Sequence, residues 1–348
     1  MTALATRILP VDPLTPEAGL IDEAAAVLRA GGLVAFPTET VYGLGANALD
    51  GEAVSGIFRA KGRPTSDPII VHLAEREQLS TIATDIPALA WALAGAFWPG
   101  PLTLVLHRSA AVPGNVSAGR PTVAVRMPAH PVAHALITAA GLPVAAPSAN
   151  TFSRPSATTA QHVWDDLHGR IALILDGGPA PLGVESTVLD LTGALPVILR
   201  PAGVPLDAVA TVAPDVIVRH QYLAMDATAA SPGQLIKHYS PRAEMLLFDG
   251  PGALGAMRKF ALERLSNGQR PGLLLMDDEA AAFAGVDAEI ELLGSSVEEA
   301  AARLFAALRA LDGRCGVILA HGLPREGLGA AVWDRLVRAA EGRVNAAP

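Results

Sequence analysis

The chain has 348 residues, a formal net charge of −8, and 51% hydrophobic against 17% charged residues. A single domain usually holds about 100–200 residues, so this length predicts two domains. The high hydrophobic share excludes a disordered chain, and the acidic balance disfavours a protein that mainly coats a nucleic-acid backbone.

The sequence also bears on the compartment. The one cysteine, Cys315, cannot form a disulfide within the chain, which is typical of a reducing compartment. Residues 1–13 show neither the charged segment nor the apolar run of a secretory signal. Residues 87–106 are apolar, but WPGP at 98–101 separates a helix from a strand there. We therefore expect a cytosolic protein without a membrane span.

The first 212 residues alternate between helix and strand patterns. Thr15 and Pro16 predict the start of a helix that ends before Gly31. After it, the period of two and the apolar runs predict strands at residues 32–36, 69–73, 102–107, 122–127, 143–147, 171–176, 187–191 and 196–200. Helical patterns lie between many of these strands, so the first domain is predicted to be α/β.

A second regular region follows an irregular one. Residues 213–242 have no sustained period, and their length is typical of a functional linker. Beyond them, strands at 244–248, 272–276, 289–293 and 316–320 alternate with helices at 253–266, 296–310 and 327–340. Ser295 and Glu298 predict a capping box before the second helix. The predicted organisation is therefore a domain at 1–212, a linker at 213–242 and a small doubly wound domain at 243–348.

Polar and cationic residues gather where the early strands end. The strand at 32–36 leads into the loop PTETVYGLG at 37–45, and the next helix ends on Arg59, Lys61 and Arg63. A cationic helix end is more often a solvated cap, and His72 on an apolar strand is by itself more typical of a core residue. The neighbouring loop of hydroxyls and glycines favours an anion pocket instead.

Common nucleotide and metal signatures are missing. The sequence has no Walker motif, and its G-x-G-x-x-A match lies too far from a strand to be a dinucleotide fingerprint. His130 and His134 have the spacing of a zinc-binding pair but no evident third ligand. We therefore predict no protein-bound metal, and these common motifs do not explain how the predicted pocket would hold its anion.

Seven spaced motifs resemble the threonylcarbamoyl-adenylate synthase family, the YrdC-like enzymes, in its longer two-domain form. They are PTETVYGL at 37–44, KGRP at 61–64, WPGPLT at 98–103, TVAVR at 122–126, APSAN at 146–150, ESTV at 185–188 and LRP at 199–201. SPGQLIKHYSP at 231–241 resembles the linker of the longer members. The resemblance implies a YrdC-like open twisted mixed sheet with helices, followed by a smaller Rossmann-like doubly wound α/β domain.

The resemblance also implies an activity and the residues that carry it. The enzyme would be a nucleotidyltransferase that makes threonylcarbamoyl-AMP and pyrophosphate from L-threonine, bicarbonate or CO2, and ATP with Mg2+. Threonine would contact Thr38, His72, Arg126, Ala146 and Ser186, with Arg126 at its carboxylate. Lys61 and Arg63 would be the catalytic cations. ATP would contact both of them and also Asp67, Thr122, Ser148, Asn150, Ser156, Arg200, His238 and Tyr239.

Two of these positions need comment. Asp67 stands where the family pattern leads us to expect asparagine, and a carboxylate beside phosphates is repulsive unless it faces a metal ion or the ribose. His238 and Tyr239 lie in the linker, which is either a lid that excludes water from a labile adenylate or an ordinary interdomain tether.

The family hands the threonylcarbamoyl group to a tRNA adenosine beside the anticodon through a separate transferase, so direct tRNA binding is not required. Two alternatives remain. One is a noncatalytic RNA-binding or ribosome-maturation module that uses the cationic cleft. The other is carbamoyl transfer from carbamoyl phosphate, which predicts zinc-finger and acylphosphatase-like segments that the sequence lacks.

Overall fold

The computed structural model describes residues 4–219 and 239–347. The chain divides into two compact units. The first holds Met1–Phe152 and Ser156–Gln234, and the second holds Ser153–Pro155 and Leu235–Pro348. The domain boundaries predicted at residues 212 and 242 stay a prediction, and residues 220–238 of the predicted linker lie outside the described residues.

The first unit is built on one mixed sheet of twelve strands. The strands are β1 Arg7–Pro10, β2 Val34–Phe36, β3 Gly43–Asn47, β4 Ile70–His72, β5 Ala83–Thr84, β6 Leu102–Arg108, β7 Thr122–Arg126, β8 Val144–Ala145, β9 Leu173–Asp176, β10 Thr187–Asp190, β11 Val197–Arg200 and β12 Ile217–Val218. Their order is β1-β9-β2-β3-β8-β4-β7-β6-β10-β11-β12, and β5 pairs with β6.

Both strand directions occur in this sheet. The pairs β4–β7 and β6–β10 are parallel, whereas β2–β3 and β6–β7 are antiparallel. The helices of the unit are α1 Ala18–Arg29, α2 Gly51–Lys61, α3 Leu79–Ile82, α4 Ala88–Phe97, α5 Pro131–Ala140, α6 Ala160–Leu167 and α7 Leu206–Ala210, with a short 3-10 turn at Arg76–Gln78. This architecture confirms the predicted mixed sheet with helices.

Apolar side chains cover both faces of the sheet. In β2, Val34 and Phe36 pack into a cluster with α1 and α5, whereas Ala35 points to the other face and packs with α2. A strand covered on both faces is apolar along its whole length, as β2 is. The buried sheet leaves polar side chains to gather at the strand ends.

The second unit has five parallel strands in the order β15-β14-β16-β13-β17. They are β13 Glu244–Asp249, β14 Gly272–Leu275, β15 Glu289–Leu292, β16 Val317–His321 and β17 Val344–Ala346. Helices α8 Ala253–Ser266, α9 Val297–Asp312 and α10 Gly329–Ala339 and a 3-10 segment at Asp277–Phe283 connect them. The parallel sheet confirms the predicted second α/β domain. Every helix in the described part of the chain is too short or too polar to cross a membrane.

Two predicted helix starts are wrong by one or two residues. Helix α1 begins after Glu17, and the N–H of Thr15 instead donates to Asp12 Oδ1 in a turn, at 2.7 Å. Helix α9 begins after Ser296, whose hydroxyl accepts from the N–H of Glu299 at 3.2 Å. Adjacent serines and adjacent glutamates allow two registers of the same cap, so the sequence predicts the cap but not its register.

Candidate functional site

Two buried polar residues end neighbouring strands. His72 is the last residue of β4 and Arg126 the last of β7, and the two are directly paired in the parallel register. Their exposed fractions are only 4% and 3%. Neither His72 Nδ1 nor Arg126 Nε has a hydrogen-bond partner among the described residues. Buried polar atoms are usually satisfied, so these two point to a ligand.

The loop between β2 and β3 holds the guanidinium of Arg126. Its Nη1 donates to Thr40 Oγ1 at 2.9 Å and its Nη2 to Glu39 Oε2 at 2.7 Å. Thr38 Oγ1 lies 2.8 Å from Thr40 Oγ1 and donates to the carbonyl of Val41 at 2.6 Å. The PTET motif therefore fixes the orientation of a cation that is 86 and 87 residues away in the sequence.

Burial sets the charge of these groups. Burial, and after it the nearby charge of Arg126, lower the pKa of His72 to about 3, so the imidazole is neutral at physiological pH. Burial also lowers the pKa of Arg126, while the carboxylate of Glu39 opposes that change. The pair thus offers one neutral imidazole and one cation whose charge Glu39 partly balances.

A second group of cations follows α2. Asp50 caps the start of this helix by accepting from Glu52 N and Ala53 N, and Gly62 ends it in a left-handed conformation with φ 66°. This C-cap, which favours glycine, leads the chain from Lys61 to Arg63. Lys61 is 1% exposed, and its Nζ donates to Ser148 O at 2.6 Å and also to Asn150 O.

Asp67 is a counter-ion inside this cationic group. Arg63 Nη2 lies 2.9 Å from Asp67 Oδ2, and both side chains are almost fully buried. Arg63 also donates to the carbonyls of Asp67 and Pro68, at 3.1 and 2.7 Å. Burial raises the pKa of Asp67, and the charges of Arg63, Lys61 and Arg200 oppose that rise. Four charged side chains therefore interact here, three of them positive.

The ends of β10 and β11 supply further polar groups. Arg200 donates to the carbonyl of Ser186 from Nε at 3.1 Å and from Nη2 at 2.9 Å. Ser186 Oγ lies 2.7 Å from Thr103 Oγ1 on β6. Ser156 Oγ donates to Glu185 Oε1 at 2.6 Å. These contacts bring together residues of three separate motifs, WPGPLT, ESTV and LRP.

The APSAN segment runs between these groups. Ala146 is buried and its N–H donates to the carbonyl of Ile70 at 2.9 Å. Ser148 forms an isolated bridge with Gly43, and Ser148 and Asn150 offer their carbonyls to Lys61. The predicted hydroxyl and amide contacts of this segment with nucleotide stay predictions.

Four further sequence-predicted residues have different outcomes. Arg59 is wrong as a member of the anion pocket, because its side chain is 63% exposed and pairs with Glu52 at 2.7 Å. Thr122 begins β7, at the opposite end of the strand from Arg126. Tyr239 belongs to the second unit, where its ring packs 5.1 Å from that of Phe305. His238 lies outside the described residues.

Sequence reasoning missed four residues that contact the predicted ones: Glu39, Thr40, Thr103 and Glu185. Each lies inside one of the motifs given above, and membership of a motif was the signal by which the sequence could have identified it. Glu39 is the clearest case, since a carboxylate is not expected beside an arginine proposed to bind another carboxylate. Its bond to Arg126 shows that it orients the guanidinium instead.

Comparison with known proteins gives a consistent assignment. Residues 26–202 match the family model Sua5_yciO_yrdC, described as "Telomere recombination", and residues 204–341 match "Threonylcarbamoyl-AMP synthase, C-terminal domain". The threonylcarbamoyl-AMP synthase of Pyrococcus abyssi is 46% identical, with 92% of this chain and 94% of that protein covered. The one of Bacillus subtilis is 42% identical, with 96% of each covered.

A solved structure extends the likeness to three dimensions. The crystal structure of P. abyssi Sua5 complexed with L-threonine has a TM-score of 0.93 and 44% identity, covering 98% of this chain and 100% of that one. The two family matches and the relatives together cover both units. The chain therefore belongs to the threonylcarbamoyl-AMP synthase family, as its motifs predict.

Proposed function

We propose that this protein is an L-threonylcarbamoyladenylate synthase, a nucleotidyltransferase that uses L-threonine, bicarbonate or CO2, and ATP. The observation that carries the proposal is the buried pair of His72 and Arg126 in a first unit that also holds three buried cations. His72 Nδ1 and Arg126 Nε have no hydrogen-bond partner in the part of the chain that the structure describes. The likeness to a Sua5 structure that contains L-threonine supports the same assignment.

In this proposal Arg126 binds the carboxylate of threonine. Thr40 and Glu39 already orient its two terminal nitrogens, so Nε is a preorganised donor for a carboxylate oxygen. The neutral imidazole of His72 contacts the same substrate without adding a second positive charge. Thr38 supports the loop, Ala146 borders the substrate with its backbone, and Ser186 contributes a hydroxyl.

The reaction then needs a nucleophile and a leaving group. The amine of threonine attacks the carbon of CO2 and loses a proton, which gives a carbamate. A carbamate oxygen attacks the α-phosphorus of ATP, the bond between that phosphorus and the bridging oxygen breaks, and pyrophosphate leaves. Positioning and charge stabilisation supply most of the rate in such phosphoryl chemistry.

Lys61, Arg63 and Arg200 stabilise the negative charge of the polyphosphate in this scheme. Lys61 also holds the carbonyls of Ser148 and Asn150, so it shapes the loop next to the nucleotide as well as carrying charge. Contacts of the nucleotide with Thr122, Ser148, Asn150, Ser156, His238 and Tyr239 belong to the same proposal and rest on the family resemblance.

Mg2+ fits this site only as a companion of the substrate. The described residues contain no group of three or more His, Cys, Asp or Glu side chains that could hold a metal ion, and Asp67 is paired with Arg63. Mg2+ commonly binds through substrate phosphates. We therefore propose that it enters with ATP, whose charge it partly neutralises.

The product is an activated threonylcarbamoyl group, which a separate transferase would move to tRNA. The test is pyrophosphate release by the purified protein with ATP, Mg2+ and bicarbonate, with L-threonine present, absent or replaced by L-serine. We expect release that depends on L-threonine. Threonine-independent release would contradict the proposal. No release together with steeply salt-dependent RNA binding would favour the noncatalytic RNA-binding module.

A further inference from the structure

A buried hydroxyl pair lies beside Arg200. Thr103, on β6, is fully buried, and its Oγ1 is 2.7 Å from Ser186 Oγ. Ser186 is 1% exposed, and its Oγ also accepts from Arg200 Nη2 at 3.2 Å. The distance alone does not say which hydroxyl donates to the other. The remaining hydrogen-bond partners do.

Each hydroxyl has one hydrogen to donate and two lone pairs that accept. Among the described residues, Thr103 Oγ1 has no hydrogen-bond partner other than Ser186. If Ser186 were the donor, the hydrogen of Thr103 would be buried without an acceptor, which native structures avoid. If Thr103 is the donor, Ser186 Oγ accepts from both Thr103 and Arg200. The second arrangement gives every donor hydrogen of the pair an acceptor, except one.

The exception is the hydrogen of Ser186. With both of its lone pairs in use, this hydroxyl has a donor left, and the described residues supply no acceptor for it. We propose that Thr103 is a positioning residue that fixes the Ser186 hydroxyl as a hydrogen-bond donor to a ligand oxygen. The inference rests on the proposed function for its ligand, a threonylcarbamoyl group. Ser186 then donates to a carboxylate or carbamate oxygen of that ligand and does not accept from its carbamate N–H.

Kinetics of three variants test the role of Thr103. Thr103→Val removes the hydroxyl, whereas Thr103→Ser keeps it. Thr6→Val is a control for the loss of a threonine hydroxyl that hydrogen-bonds away from Ser186, because Thr6 Oγ1 donates to Ile171 O and accepts from Gly169 N. We expect kcat/KM for L-threonine to fall about tenfold in Thr103→Val, and to stay near the wild-type value in Thr103→Ser and in Thr6→Val.

Two kinetic results would overturn the proposal. One is a Thr103→Val enzyme with the kcat/KM of the wild type. The other is a Thr103→Ser enzyme that loses as much as Thr103→Val, since packing of the methyl group would then be the cause. A failure of the proposed function would look different from both results. In that case the wild-type protein itself would release no threonine-dependent pyrophosphate.

Neutron diffraction from the deuterated protein tests the direction of the bond without any activity. A deuteron on Thr103 Oγ1 that points to Ser186 Oγ is the expected result. A deuteron on Ser186 Oγ that points to Thr103 would contradict the proposal, whatever the enzyme catalyses.

Discussion

At the scale of single residues, Asp67 sets how much positive charge the phosphate-binding group presents. Its carboxylate pairs with Arg63 inside the protein. Burial raises the pKa of Asp67, and the charges of three nearby cations oppose that rise. In Asp67→Asn, one negative charge is lost while a polar side chain of the same shape remains. We expect kcat/KM for ATP to stay the same or to rise up to about tenfold, because phosphates no longer face a like charge.

The same substitution leaves the buried charge of Arg63 without its paired carboxylate. The unfolding free energy without ligand should therefore fall by roughly 1–3 kcal/mol. Steady-state kinetics and urea denaturation measure the two effects. Glu52→Gln is the control, since Glu52 makes an exposed pair with Arg59 on helix α2, and we expect little change there. A large loss of turnover in Asp67→Asn would contradict the claim that the Asp67 carboxylate only reduces the positive charge presented to the phosphates.

His72 gives the protein a pH-dependent stability. Burial lowers the pKa of His72 to about 3 in the folded protein, while an unfolded histidine titrates near pH 6.5. As pH falls below about 6.5, the unfolded state therefore binds a proton that the folded state does not, and folding weakens. Between pH 6.5 and 5 this loss amounts to roughly 2 kcal/mol.

The test compares the wild type with His72→Gln in urea at pH 7 and pH 5. The wild type should lose more unfolding free energy than the variant, and the difference should reflect this one group. Equal losses in the two proteins would show that His72 is not held neutral by burial.

At the scale of elements, the close approach of β2, β3 and β8 depends on Gly45. A Cβ at this position would lie 2.8 Å from Phe36 Cε1 and 2.9 Å from Val144 Cγ1. Gly45→Ala should therefore lower the unfolding free energy by about 1–3 kcal/mol through overpacking. Gly19→Ala is the control, because nothing lies within 4 Å of its added Cβ in helix α1.

Urea denaturation distinguishes the two glycines. Alanine is a better helix former than glycine by up to about 1 kcal/mol, so Gly19→Ala should be neutral or stabilising. A Gly45→Ala protein as stable as the wild type would mean that the sheet relaxes at this point and that the glycine is not required.

Strands and helices also show what the sequence could and could not predict. The spacing of apolar runs predicted β7 and the position of Arg126 at its end. It predicted His72 within a strand at 69–73, whereas β4 ends at His72 itself. Arg59 was assigned to the pocket wrongly because residues two apart lie on different sides of a helix. The contacts of Arg126 with Glu39 and of Thr103 with Ser186 span 87 and 83 residues, and local patterns carry no information about such pairs.

At the scale of the whole molecule, the predicted linker offers a choice between a lid and a tether. If residues 213–242 close over the nucleotide, a chain that ends at residue 212 should make less threonylcarbamoyl-AMP and hydrolyse more of it to AMP. A chain that ends at residue 242 separates the effect of the linker from that of the second domain. If the shorter chain makes as much threonylcarbamoyl-AMP and hydrolyses no more of it, the lid hypothesis is wrong and the linker is an interdomain tether.

The account as a whole depends on the identity of the product. The most direct measurement is mass spectrometry of the reaction of the full chain with L-threonine, ATP, Mg2+ and 13C-labelled bicarbonate. We predict a threonylcarbamoyl-adenylate that carries the label, and no such product when threonine is omitted. Pyrophosphate and AMP without this labelled adenylate would contradict the central claim.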